Sequence, residues 1–220
     1  MKVALVLTGL ARNVKEGYSQ YWKHIINNYE TDVYLYYWKD GEYETVLNTY
    51  TPKKYVCKEP FSFLNYRENV ISPGDKLARP IFPYDVAGNF TSLPMIYAWQ
   101  NGYNLIEGEY DCVIRSRFDM GSDTPIDLEK IDLQKINVTN HHWPNSEILD
   151  DNILISNQTN SGELYKDIFD VFVKNIKEEG LIYFGEKNFT KIVTQKNLYN
   201  KVYKSNEINF NLLREFKIWY

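Results

Sequence analysis

The chain has 220 residues, 44% of them hydrophobic and 25% charged, the composition of an ordinary globule long enough to bury a sizeable core. Its net charge is −4, and it carries none of the clustered Lys and Arg that a nucleic-acid-binding surface would need. The apolar start, Met1 to Gly9, is too short for a signal sequence or a membrane span, so no transmembrane segment is expected.

Residues 2–8 form a continuous apolar run ended by Gly9, the pattern of a buried parallel strand. From 13 to 29, Val14, Tyr18, Tyr21, Trp22, Ile25, Ile26 and Tyr29 recur in steps of three and four, which predicts an amphipathic helix capped by Asn13. Val33 to Trp38 reads as a second strand, completing a βαβ unit. A short helix over 42–50 and a strand over 54–58 follow. Pro60, Pro73, Pro80 and Pro83 with Gly74 predict irregular structure from 60 to 85. Ser92-Leu93-Pro94 starts a helix that runs to about 107.

Tyr110 to Met120 reads as one strand, apolar at Cys112, Val113 and Ile114 and then charged at Arg115, Arg117 and Asp119. Alternation puts those three charges on one face. Beyond it come a weak strand at 135–139, a short apolar strand at 153–155, and helices over 161–178 and 186–198. A final apolar segment, 208–219, is expected to fold back on the core. Alternating strands and helices predict an α/β sheet in one domain, 1–220. The regular first half, to about 120, suits nucleotide binding, and the mixed second half, 121–220, suits an acceptor.

The two cysteines, Cys57 and Cys112, form neither a metal motif nor a disulfide framework, and reduced thiols fit a cytoplasmic setting. A strand that begins apolar and ends in two guanidiniums and a carboxylate suits the open end of a parallel sheet, where α/β proteins bind ligands. Two Arg forks and one carboxylate fit a diphosphate, while a simple Arg–Asp pair is the plainer alternative. Thr8-Gly9-Leu10-Ala11-Arg12 lies where the first strand meets its helix, and its backbone donors can meet an anion. Trp38 ends the second strand at the same edge and offers a ring either for a base or for packing. Asp119, with Asp123 nearby, offers oxygens to Mg²⁺ or Mn²⁺. Asp150 and Asp151 precede an apolar strand, where one acid can serve as a general base. His141 and His142 lack a third ligand at zinc spacing. Glu186 stands at a helix start.

In order, these pieces resemble small bacterial and viral glycosyltransferases of the GT-A fold: the Gly-x-x-Arg turn, Asp32-Val33-(apolar)-Trp38, the Met95–Trp99 helix, Tyr110-Asp111-Cys112-Val113-Ile114-Arg115-Ser116-Arg117-Phe118-Asp119, then Asp151 and Glu186. The resemblance implies a mostly parallel, Rossmann-like sheet flanked by helices. It also implies transfer of a sugar from a nucleoside-diphosphate sugar to a glycan or other hydroxyl acceptor. By the same resemblance Thr8, Gly9, Arg12, Trp38, Arg115, Arg117 and Asp119 bind the donor. Asp119 holds Mn²⁺ or Mg²⁺, Asp151 is the base, and Glu186 is a second catalytic candidate. The chain departs from the family at Arg117, which stands where the first acid of Asp-x-Asp is expected; that departure implies either weaker metal binding or neutralisation of the diphosphate by Arg117 instead. A nucleotidyltransferase and a non-catalytic carbohydrate- or nucleotide-binding module are the alternatives.

Overall fold

The apolar run at the start of the chain lies inside the sheet, with Val3 to Leu7 fully buried. The computed structural model describes residues 1–61, 92–140, 146–179 and 185–213. In chain order it contains β1 (Lys2–Ala11), α1 (Val14–Tyr21) continued by a π-helical turn (Trp22–Ile26), β2 (Glu30–Gly41), α2 (Tyr43–Tyr50) and β3 (Lys54–Lys58). Then come α3 (Ser92–Tyr103), β4 (Cys112–Ser116), β5 (Met120–Gly121), β6 (Ile136–Thr139) and β7 (Leu154–Ser156). The remainder is α4 (Gln158–Tyr165), α5 (Ile168–Glu179), α6 (Gly185–Gln195), β8 (Val202–Ser205) and β9 (Asn211–Leu212).

Seven strands form one sheet in the order β3-β2-β1-β4-β7-β6-β8, and β5 pairs with β9 in a small second one. The pairs β1–β2, β1–β4, β2–β3 and β6–β8 are parallel. Among the described strands of this sheet, only β7 runs against its neighbours, β4 and β6. The fold is therefore the expected α/β class, a mixed and mostly parallel sheet flanked by helices. Side-chain alternation separates the two faces. Val3, Leu5 and Leu7 pack with Val14, Tyr21, Val46 and Tyr50 of α1 and α2. Ala4 and Val6 pack with Tyr34, Tyr36 and Ala98 under α3.

The expected strand Tyr110–Met120 breaks in two, because its backbone bonds elsewhere after Ser116. The Tyr21 hydroxyl takes the Arg117 carbonyl at 2.6 Å. The Asp119 carbonyl accepts from Leu213 N at 2.9 Å. Arg117 and Asp119 thus sit in a turn and do not share a strand face with Arg115. The expected helix over 161–178 is likewise two helices, α4 and α5. The strands β8 and β9 did not show in the sequence pattern: β8 has no apolar run and β9 is two residues long. The irregular stretch expected over 60–85 lies outside the described residues from 62 onward. So do His141, His142 and the end of the 208–219 segment, whose Ile208 and Phe210 are buried in the core.

Asn13 does not cap α1 with its side chain and instead takes a left-handed conformation, φ 48°. Glu42 supplies the cap from the next βα turn, accepting from Asn13 N at 2.8 Å and Val14 N at 3.2 Å. The start of α1 is thereby closed to an outside anion at those two donors.

Close packing of α1 on the turn after β4 depends on Gly17. A Cβ there would lie 1.8 Å from the Phe118 carbonyl oxygen. Gly17→Ala is expected to destabilise the protein by about 1–3 kcal/mol, as overpacking does. The exposed neighbour change Ser19→Ala is expected to cost no more than about 0.5 kcal/mol. Urea unfolding of the two variants checks the difference, and equal midpoints would contradict the close approach.

Candidate active site

Strand order reverses at β1, with β2 on one side and β4 on the other. Ligands of open α/β sheets bind at such a point, outside the carboxyl ends of the strands. The end of β4 places Arg115 there. Val6 pairs with Arg115 in the register, so its side chain points to the α3 face. The guanidinium is 1% exposed. It lies over the Trp99 ring at 4.3 Å. Its Nε donates to the Tyr165 hydroxyl at 3.0 Å and its Nη1 to the Asn152 carbonyl at 3.3 Å. Its Nη2 has no hydrogen-bond partner among the described residues. A buried donor left unsatisfied costs about 1–3 kcal/mol, and more when charged. The same holds for the buried Thr8 Oγ1, on the same face one strand away and two residues further along.

Arg117 forks onto Asp119, with Nε to Oδ1 at 2.8 Å and Nη2 to Oδ2 at 3.0 Å. Its Nη1 reaches Asn152 Oδ1 at 3.5 Å. Burial works against the charge of Arg117, but the pairing with Asp119, together with the nearby Asp151 and Tyr21, outweighs it and raises its pKa. Asn152 therefore braces both arginines, one through its carbonyl and one through its side chain. Asp150 Oδ1 holds Asn152 in turn, accepting from its backbone N at 2.8 Å and its side-chain amide at 3.0 Å. On the α1 face, the Tyr21 hydroxyl lies 2.7 Å from Ser116 Oγ, and burial pushes its pKa far up, so it stays a donor to the Arg117 carbonyl.

These residues do not fit a resident divalent ion. Asp119, the expected ligand, is 1% exposed with both oxygens held by one guanidinium. No group of three or more His, Cys, Asp or Glu side chains among the described residues has the geometry of a metal site. Asp123 is exposed, whereas Asp119 is buried.

Asp151 enters from the start of β7, which runs antiparallel to β4 and so begins where β4 ends. It is 6% exposed. It lies beneath the first turn of α6, where a Cβ on Gly185 would be 2.8 Å from its Oδ2. Burial raises its pKa from 3.8 to about 7; Glu186 and Asp150 push the same way, against Arg115 and Arg117. Arg115, Arg117, Asp119, Asp151 and Glu186 are thus one electrostatic cluster.

The remaining expected residues lie further along the sheet. Thr8 and Gly9 belong to β1, which runs on to Ala11, so they are strand rather than turn; Gly9 has φ +101°. Arg12 follows directly, half-buried. Trp38 pairs with Leu10, two strands from β4 and four residues beyond the Arg115 level. It is 5% exposed and stacked on Tyr97 at 6.1 Å. The roles of Tyr21, Asn152 and Tyr165 went unnoticed in the sequence. Tyr21 had shown only as a helix-face apolar residue, and nothing local marks the other two.

No protein-family model matches the chain, and no curated protein sequence does. The apo-form glycosyltransferase GlyE of Streptococcus pneumoniae TIGR4 shares its fold, with a TM-score of 0.51 and 13% identity over 94% of this chain and 45% of that one. The chain thus spans less than half the length of GlyE. Its fold is glycosyltransferase-like. No helix among the described residues is long and apolar enough to cross a membrane.

The raised pKa of Asp151 has a defined sign. The folded state holds a proton that the unfolded state releases above about pH 4, so this group's contribution is complete below that pH and is lost as pH rises toward 7. Asp151→Asn should match the parent at pH 4 and exceed it by roughly 2–4 kcal/mol at pH 8. Chemical denaturation across that range measures it.

Proposed function

We propose that the chain is a nucleotide-sugar-dependent glycosyltransferase. The observation that carries the reading is a pair of braced guanidiniums, one buried with an unsatisfied N–H and one partly exposed, beside a carboxyl of raised pKa at the switch point of the sheet. The glycosyltransferase-like fold supports it. Transfer places positive charge on the sugar carbon and negative charge on the departing diphosphate. Arg115 and Arg117 face that growing negative charge in a water-poor site, where fixed cations act most strongly.

Asp151 takes the proton of the acceptor hydroxyl. The acceptor oxygen bonds to the anomeric carbon, and the bond from that carbon to the phosphate oxygen breaks. The electron pair leaves on the nucleoside diphosphate. A base acting on the acceptor calls for one displacement with inversion at carbon. Glu186, half-buried at the α6 start, contacts acceptor hydroxyls. Thr8, Gly9 and Arg12 line the nucleotide pocket, with Trp38 as a wall already stacked on Tyr97. Residues 1–120 hold the donor and 121–220 the acceptor.

A thermal-shift panel of nucleotide sugars, followed by a transfer and hydrolysis assay on the best binder, tests the reading. One donor should raise the melting temperature and turn over. Asp151→Asn should lower turnover about 100-fold or more while donor affinity changes little. Binding without turnover across the panel would favour the non-catalytic module, and turnover of a nucleoside triphosphate with pyrophosphate release would favour a nucleotidyltransferase.

The base must be ionised to act, so kcat/KM should rise through about pH 7 and then level off. A bound diphosphate adds negative charge near Asp151, so the rise in kcat should lie at higher pH than the rise in kcat/KM. A pH–rate profile without an ascending limb would remove Asp151 from the base role.

A further inference from the structure

Within the glycosyltransferase reading, the Arg117–Asp119 fork raises the question of what balances the charge of the donor. A GT-A-like site would use a divalent ion held by an Asp at the Asp119 position. Here both Asp119 oxygens face Arg117 at 2.8 and 3.0 Å, and the carboxylate is 1% exposed. The turn that carries it is pinned at both ends, by Tyr21 on the Arg117 carbonyl and by Leu213 on the Asp119 carbonyl. Turning Asp119 toward an ion would require breaking the fork and leaving a guanidinium partly buried without its anion, a strongly unfavourable change.

Two cations already stand at this place. Arg115 is clamped by Trp99, Tyr165 and Asn152, with Nη2 unsatisfied among the described residues. Arg117 is 27% exposed, and its fork uses only Nε and one N–H of Nη2, so N–H groups remain for an incoming oxygen. Planar guanidiniums suit phosphate oxygens, and clamped ones need no reorganisation when charge develops.

We infer that Arg117, with the fixed charge of the buried Arg115 behind it, holds the donor's diphosphate in the place of a divalent ion, and that Asp119 is a positioning residue for Arg117 rather than a metal ligand. This rests on the reading of the chain as a nucleotide-sugar enzyme.

The test titrates the full chain with UDP, GDP, CDP, ADP and dTDP by calorimetry, once in excess EDTA and once with MnCl₂. At least one diphosphate should bind in EDTA with a Kd within about threefold of its value with Mn²⁺. Binding that appears only with Mn²⁺ overturns this inference and leaves the proposed function standing. Binding under neither condition overturns both.

Arg117→Met should weaken binding in EDTA by roughly tenfold or more, and Arg117→Lys, which keeps the charge but loses the fork, by less. An unchanged Kd in EDTA for either folded variant counts against the inference. Asp119→Asn separates the roles of the carboxylate. A positioning Asp119 predicts weaker binding by the same factor with and without Mn²⁺. A metal-binding Asp119 predicts loss only of the Mn²⁺-stimulated part. The ratio of the two Kd values is insensitive to a general loss of stability, so a merely structural effect does not imitate either result.

Discussion

A guanidinium buried inside an α/β sheet constrains everything that packs around it. Arg115 cannot reach solvent, so its charge and its N–H groups must be met where they are. Trp99 offers a ring face, Tyr165 an oxygen and Asn152 a carbonyl. Those three residues come from α3, α4 and the segment just before β7. The positions of three separate elements at the carboxyl edge are thereby tied to one side chain.

The turn after β4 is organised from the other face of the sheet. Tyr21, at the end of α1, holds the backbone at Arg117, and Gly17 lets the helix lie directly on Phe118. The tail at Leu213 closes the same turn, and the Asn13 amide grips the Leu213 carbonyl at 2.5 Å. Arg117 and Asp119 thus form a fork whose geometry is set by α1 and by the C-terminal strand. Asp151 approaches from the opposite side on a strand of reversed direction. Arg115 and Arg117, at and just after the end of β4, meet the acids just before β7 because β7 runs antiparallel. An all-parallel arrangement would put the start of β7 at the far edge.

Much of the first half was legible because its signals are local. The apolar run of β1, the helical spacing of α1, and the short elements over 42–50 and 54–58 each follow from neighbouring residues. Legibility failed where distant groups decided. Strand alternation placed Arg117 and Asp119 on a continued strand, but long-range bonds from Tyr21 and Leu213 end that strand at Ser116. Asn13 looked like a cap, yet Glu42 from the next turn takes its place. Both the Arg–Asp pair and the diphosphate site were visible as possibilities in Arg-Ser-Arg-Phe-Asp, and the fold contains the pair within the candidate site. Asn152 and Tyr165 carried no local mark at all.

By itself the sequence determined the alternation of strands and helices, the apolar core and the set of charged residues near the end of the central strand. Hydrophobic periodicity and turn chemistry act over a few residues, so they can be read directly. Only the tertiary structure decided which of those charges face one another and in what state. Arg115 meets partners 37 and 50 residues away, and Tyr21 meets Ser116 across 95. The pKa of Asp151 is set by burial and by Glu186, Asp150 and two arginines. Solvent exclusion and Coulomb forces act through space, and no spacing along the chain encodes them.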